Sequence, residues 1–430
     1  MLPESVPAEP GPAGPGGRAP FATTARRARS VEEHRAVVAG LLPPMPVERV
    51  PLARALGRVL AEPLVAGVAL PPFDNSAMDG YAVRATDVAG ATDQRTAVLP
   101  VVADIPAGRT DVPPLEPGTA HRIMTGAPVP RGADAVVQVE HTDAGAERVR
   151  VLRAPSAGTS VRHAGEDVEA GAVVLAAGTV LGAPQIGVAA AVGAVDLPVR
   201  RRPRVLVLST GSELVAPGAP LRPGQIYESN GPMLAAAVDD AGGVAELLRF
   251  VPDDVADLHR VLDDRLAADP VDLVLTSGGI SAGAYEVVKE GLADRGVEFV
   301  KVAMQPGGPQ GAGVLAGSRV GVVALPGNPV SSQVSFEVFV RPVLRAALGH
   351  PHPDRPRVTA ALAAPLTSTP GRRQFRRGVL DAVTGTVRET GGPPSHLLAA
   401  LARADCLFVV PQEDTELPEG APVEVWLLDA

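Results

Sequence analysis

The chain has very little cysteine and few aromatic residues. Cys406 is the single cysteine among 430 residues, so no internal disulfide and no cysteine cage for zinc can form. It lies in the apolar run Cys406-Leu407-Phe408-Val409-Val410, where a buried structural thiol is expected. Aromatic residues make up only 3%, which leaves little for ring stacking. No apolar run reaches the length of a membrane span. Positive charge is short as well: a net charge of −9 argues against nucleic acid as a partner. Met1 to Ser30 is rich in Pro, Ala, Gly and Arg and has no apolar signal core. Arg26-Arg27 lacks the apolar stretch that a twin-arginine signal needs. The expectation is a disordered tail over 1–30 and a cytoplasmic protein without membrane contact.

Turn formers are abundant instead. With 46 glycines and 45 prolines, the chain must consist of many short elements joined by tight turns. Ser30-Val31-Glu32-Glu33 has the spacing of a capping box that opens a helix to about Leu42. Leu52 to Leu60 is a second short helical candidate, and Pro184 to Val192 a third. Between them, from Val65 to about Gly165, short β runs alternate with Pro and Gly. These runs start at Ala97, Ala120, Ala135 and Arg148 and predict a small β-rich unit. From Arg200 to about Gly349, strands Val205–Leu208, Val244–Phe250, Val271–Leu275, Glu298–Lys301 and Val320–Leu325 alternate with helical segments. That pattern predicts a doubly wound α/β domain with a largely parallel sheet. Beyond Pro356 the runs at Val358, Phe375, Cys406 and Pro422 are β-like again. No internal repeat is visible.

The chemistry concentrates in loops at predicted strand ends. Val271–Leu275 runs into Thr276-Ser277-Gly278-Gly279-Ile280-Ser281-Ala282-Gly283 and then into a helix from about Tyr285 to Leu292. Strand, Gly/Ser loop, helix start is how α/β proteins build anion sites, although the same residues also suit a tight βα turn. Val320–Leu325 ends in Pro326-Gly327-Asn328-Pro329-Val330, where two prolines stiffen the loop before a helix from about Ser332 to Leu348. Ser209-Thr210-Gly211-Ser212-Glu213-Leu214 follows the first strand and joins the same edge, together with Tyr227-Glu228-Ser229-Asn230. Asp253, Asp254 and Glu286 are carboxylates beside this edge, of the kind that share Mg²⁺ with phosphate and water. Asp254 alone would serve as a helix cap. Lys301, the loop Gln305-Pro306-Gly307-Gly308-Pro309, Arg372, Arg373, Arg376, Arg377 and Ser395-His396 form a basic group that is either a solvated face or an oxyanion site. In the β-rich unit, Asp74-Asn75-Ser76-Ala77-Met78-Asp79-Gly80-Tyr81 and Arg122-Ile123-Met124-Thr125-Gly126-Ala127-Pro128 are polar loop clusters, readable also as Asx-turn networks.

Five of these motifs, in this order, resemble the molybdopterin molybdenumtransferase family, whose relatives include the C-terminal part of gephyrin. They are Asp-Asn-Ser-Ala-Met-Asp-Gly-Tyr-Ala-Val, Ile-Met-Thr-Gly-Ala-Pro-Val-Pro, Ser-Thr-Gly-Ser-Glu-Leu, Ser-Gly-Gly-Ile-Ser-Ala-Gly and Leu-Pro-Gly-Asn-Pro-Val. The similarity spans Val31 to the C-terminus. It implies a multidomain α/β plus β protein: a linker and dimerisation domain (31–66 with 167–198), a β-rich domain (67–166), an α/β molybdopterin-binding domain (199–350) and a C-terminal β-barrel-like domain (356–430). The implied reaction cleaves adenylated molybdopterin, releases AMP and inserts molybdate into the dithiolene with Mg²⁺, in a cytoplasmic homodimer. The implied partners beyond the substrates are the upstream adenylyltransferase and apo-molybdoenzymes.

The resemblance also implies roles for named positions. Asp79, Thr125, Glu213, Asp253, Glu286 and Lys301 would be catalytic, with Asp253 and Glu286 on the metal and phosphates and Asp79 with Thr125 reaching across the dimer. Ser277, Gly278, Gly279, Ser281, Gly283, Pro326, Gly327, Asn328, Pro329, Arg377 and Ser395 would bind substrate, with Lys301, Arg377 and Ser395 on molybdate. Two departures stand out. The loop after Lys301 carries Gln305 and Gly308 where the family usually has lysines, and Glu286 replaces a shorter aspartate. Arg372, Arg373 or Arg376 would then supply the missing charge. Otherwise the protein would hold the pterin without inserting metal, act as a scaffold, or take another oxyanion such as tungstate. An unrelated nucleotide-binding α/β enzyme is the remaining alternative.

Overall fold

A computed structural model of the chain describes residues 27–251, 254–280 and 286–428. Its organising element is a six-stranded sheet in the order Val244–Val251, Arg204–Thr210, Leu273–Ser277, Gly321–Leu325, Pro309–Val314, Val297–Lys301. The first four strands are parallel, with Leu206 level with Val274 and Val274 level with Val322. Pro309–Val314 runs antiparallel to both its neighbours, so Val297–Lys301 again runs in the direction of the first four. Successive residues of the central strands enter opposite cores. Val205, Val207, Leu273 and Leu275 pack on one face, and Leu206, Leu208, Val274 and Val322 on the other. A strand buried on both faces needs an unbroken apolar run, which is the pattern these segments carry.

Helices cover both faces. Val31–Ala39 opens with the expected capping box. Ser30 Oγ accepts from Glu33 N at 3.0 Å, and Glu33 Oε2 accepts from Ser30 N at 2.6 Å. Its Val31 and Val38 join the α/β core, with Leu41 and Leu42 just beyond it. Asn230–Asp240, Val255–Ala268 and Val287–Ala293 follow the predicted alternation. The single helix expected from Ser332 to Leu348 is instead helix Pro329–Ser335, a π-helical turn Phe336–Val340 and helix Arg341–Ala347. Glu337 is only 4% exposed in that turn and is bonded by Arg355 at 2.9 Å, so a widened turn seats a buried ion pair inside the helix. Leu52–Leu60 yields only the 3₁₀ turn Leu52–Arg54, since the segment then bonds across to the 179–198 stretch. Strand Pro309–Val314 was not predicted, because its Gln-Gly-Ala-Gly composition carries no strand signature.

The N-terminal region holds a five-stranded sheet, Ala135–Gln138, Gly80–Val83, Ala120–Ile123, Ala97–Ile105 and Arg148–Val151. Gly80 is obligatory there, because a Cβ would lie 1.9 Å from the Val137 carbonyl oxygen. The C-terminal region is a closed five-strand barrel. Arg373–Asp381, Thr386–Glu389, Arg357–Leu362, Pro422–Leu427 and Cys406–Val410 pair in turn, and the last closes on the first. Closure removes the free edges of the sheet. The barrel's outer Phe375 and Trp426, in edge contact at 5.3 Å, pack into the α/β core, which fixes the barrel beside the strand ends. Among the described residues no helix is long and apolar enough to cross a membrane.

Leu275, fully buried in the central strand, sets the stability of the α/β unit. Leu275→Ala should cost about 2–5 kcal/mol in urea unfolding. Val383→Ala, at a position 96% exposed, should stay within about 0.5 kcal/mol of the parent.

Candidate active site

The carboxyl ends of the parallel strands surround a cavity of about 1350 Å³. Chain order reverses between Arg204–Thr210 and Leu273–Ser277, the position where open α/β sheets bind ligands. Three loops meet there, and their glycines are required by contact. Gly278 has φ +95°, and a Cβ on it would stand 2.9 Å from the Thr210 carbonyl oxygen. A Cβ on Gly327 would lie 3.3 Å from Gly278 Cα. The backbone therefore lies bare along the cavity wall.

Side-chain hydrogen bonds lock these loops. Asn230 Nδ2 donates to Ser277 Oγ at 2.8 Å and to the Gly327 carbonyl at 2.6 Å. Ser277 Oγ also lies 3.2 Å from Ser332 Oγ. Glu228, 4% exposed, accepts from Ser209 Oγ at 2.9 Å and from Gly231 N at 2.6 Å, so it anchors the first loop rather than facing substrate. Asn328 Nδ2 donates to Ser395 Oγ at 2.9 Å, joining the Pro326–Pro329 loop to the C-terminal barrel region.

Most of the predicted site residues meet in this cavity. Glu213, Ser277, Gly278, Gly279, Glu286, Lys301, Pro326, Gly327, Asn328, Pro329 and Ser395 all line it. Asp253, Ser281 and Gly283 lie outside the described residues. Asp79 and Thr125 are together but elsewhere, exposed in the N-terminal β unit. Thr125 donates to Asp79 Oδ1 from its N–H at 2.7 Å and from its hydroxyl at 2.8 Å. These bonds hold the Asp79 carboxyl below the usual carboxylate range, the backbone N–H contributing most.

The arginine cluster divides into different tasks. Arg377 is 2% exposed, and its guanidinium donates to the carbonyls of Pro394, at 3.1 Å, and Gly392. It thus holds the loop that carries Ser395. Burial lowers its pKa. Arg376 pairs with Glu389 at 2.6 Å, and Arg373 pairs with Glu32. Arg372 alone of the four lines the cavity. Among the described lining residues the cations are Lys301 and Arg372, and the carboxylates are Glu213, Glu228 and Glu286.

The charges are separated along the sheet edge. Lys301 ends the edge strand, four positions across the sheet from Arg204–Thr210. At ~4.8 Å per strand that is ~19 Å. Residues 305–309, which include the cis peptide Gln305–Pro306, close the basic end. Among the described residues no group of three or more His, Cys, Asp or Glu side chains could hold a metal alone. Glu213 and Glu286 offer hard oxygen donors, which suit an Mg²⁺ ion whose other ligands are phosphate and water.

Sequence reasoning did not single out Gln310 or Ser335, which lie behind the basic loop; neither has a motif signal. Arg372 was placed in the cluster but not distinguished from its neighbours.

Three family models match the chain: the MoeA N-terminal region (domain I and II) over residues 29–193, a probable molybdopterin binding domain over 206–346, and the MoeA C-terminal region (domain IV) over 359–428. Molybdopterin molybdenumtransferase 2 of Mycobacterium tuberculosis is 54% identical over 405 residues, covering 93% of this chain and 99% of the relative. Molybdopterin molybdenumtransferase 1 of the same organism is 41% identical over 424 residues, with the same coverage. A crystal structure of the molybdopterin biosynthesis MoeA protein of Pyrococcus horikoshii superposes with a TM-score of 0.81 at 32% identity, covering 93% of this chain and 99% of that one. With its fold, its strand-end cavity and these matches along most of its length, the chain belongs to the molybdopterin molybdenumtransferase family.

Proposed function

We propose that this protein inserts molybdenum from molybdate into adenylated molybdopterin and releases AMP. The observation that carries this reading is the charge division of one long cavity, with carboxylates at the switch point of the sheet and cations at its edge. A substrate with a nucleotide at one end and an oxyanion acceptor at the other fits that polarity.

In this reading the bare backbone of Gly278, Gly279 and Gly327 receives the phosphates and pterin. Glu213, Asp253 and Glu286 handle the phosphate end. Bound there, Mg²⁺ would neutralise phosphate charge as the adenylate bond breaks. Lys301, Arg372 and Ser395 hold the oxyanion. Arg372 takes the part first expected of Arg377, because its side chain lines the cavity while that of Arg377 is committed to carbonyls. The Asp79–Thr125 pair lies outside the cavity lining and would enter a site through a homodimer, as the partner subunit's contribution. The setting is cytoplasmic.

The deciding experiment measures AMP release from adenylated molybdopterin with Mg²⁺, with and without molybdate. Molybdate-dependent release, with product that activates an apo-molybdoenzyme, is expected. Asp253→Asn and Glu286→Gln should abolish it without loss of fold. Pterin binding with no release would instead identify a pterin-holding protein, the reading favoured by the absence of cations from the Gln305–Pro309 loop.

The cationic end gives a second test. Arg372→Ala should raise the KM for molybdate roughly 10- to 150-fold, since one charge-assisted contact is worth about 1.5–3 kcal/mol. Gly308→Lys has room, because a Cβ there stands 3.6 Å from the nearest atom, the Val302 carbonyl oxygen. It should lower the same KM. An Arg372→Ala protein with an unchanged molybdate KM would remove Arg372 from the oxyanion site.

A further inference from the structure

A buried amide, Gln310, lies behind the basic end. It is 1% exposed, lies near the start of strand Pro309–Val314 and pairs with Val300, next to Lys301. Its Nε2 donates to the Gly307 carbonyl at 2.7 Å and to Ser335 Oγ at 2.7 Å. A carbonyl can only accept, so Gly307 fixes which way the amide points. Gly307 has φ +92°, and a Cβ on it would lie 2.6 Å from Ser335 Oγ, so the loop is seated directly on that serine. The Gly308 carbonyl closes the loop by accepting from Val302 N at 2.6 Å.

Ser335 is fully buried and ends helix Pro329–Ser335, whose first residue belongs to the Pro326–Pro329 loop. One continuous path therefore runs from the Pro326–Pro329 loop along that helix to Ser335, then through Gln310 to Gly307. It joins the two loops that wall the middle and the basic end of the cavity.

We infer that Gln310 is a positioning residue for the oxyanion end. It sets the Gln305–Pro309 loop against the helix that begins at the pterin-side loop, so that Lys301 and the loop backbone meet the oxyanion in one geometry. This rests on the function proposed above. The chemistry it serves is recognition of a tetrahedral oxyanion by a loop that itself carries no charged side chain, so that its neutral donors act only if they are held in place beside Lys301 and Arg372.

The test compares Gln310→Leu and Ser335→Ala with the parent, each as the full chain. Gln310→Leu removes both bonds at nearly constant volume. It should raise the KM for molybdate on the order of tenfold while the KM for adenylated molybdopterin stays near the parent value; the thermal midpoint should fall, because the buried Gly307 carbonyl and Ser335 hydroxyl lose their donor. Amide hydrogen exchange over residues 305–309 should quicken in the protein alone. Ser335→Ala removes one of the two bonds and should fall between. If Gln310→Leu does not fold, Ser335→Ala carries the comparison. An unchanged molybdate KM, equal shifts in both KM values, or unchanged exchange over 305–309 would overturn the inference. A parent protein with no molybdate-dependent turnover would overturn the function proposed above, and the exchange comparison would still decide whether Gln310 holds the loop.

Discussion

The site depends on one knot of hydrogen bonds around Ser277. Its hydroxyl, at the end of the central strand and 2% exposed, accepts from Asn230 and lies against Ser332. Asn230 begins one helix and donates its second amide proton to Gly327. A single amide group therefore ties a strand end, a helix start and a proline-stiffened loop. Ser277 and Ser332 are withdrawn from water, so breaking a bond at either leaves a polar group that water cannot easily satisfy. This is why three loops rich in glycine can hold one wall. The glycines supply close approach and the knot supplies the order that glycine lacks.

The same logic extends outwards. Asn328 holds Ser395, and Arg377 holds the Gly392 and Pro394 carbonyls. The barrel's Phe375 and Trp426 are set in the α/β core. The C-terminal unit thereby becomes a fixed wall of a cavity whose floor belongs to another unit. A buried guanidinium is costly unless its donors are satisfied. Spending one on loop carbonyls shows how firmly that wall is placed.

The fold was legible wherever burial imposes a pattern. Unbroken apolar runs marked the doubly buried strands, Ser30 and Glu33 marked a helix start, and Gly/Ser loops at strand ends marked the cavity. Legibility failed where side chains of one type do different work. The four arginines from Arg372 to Arg377 read as one charge cluster. In the barrel strand, however, both faces are covered, so Arg376 is buried and paired with Glu389, Arg377 is buried and spent on loop carbonyls, and only Arg372, before the strand, reaches the cavity. Period-two alternation cannot separate two buried faces. Strand Pro309–Val314 was hidden by its glycines, and with it Gln310. The π turn at Phe336–Val340 was hidden because its cause, Arg355 on Glu337, comes from distant sequence.

Charge placement is the last physical step. Five charged side chains line the cavity among the described residues, two basic and three acidic, of which Glu228 is committed to its own loop. Mixed at random they would neutralise one another and bind neither phosphate nor oxyanion well. The sheet keeps them apart. Glu213 and Glu228 follow its second strand in space, Glu286 its third, and Lys301 its far edge, with the antiparallel strand Pro309–Val314 as spacer. That spacer reverses direction, which lets Val297–Lys301 end at the same edge as the parallel strands. Without the reversal Lys301 would point to the opposite end of the sheet. The single antiparallel strand Pro309–Val314 near the border of an otherwise parallel sheet is thus what brings a cation to the carboxyl edge, about 19 Å from the switch-point strand.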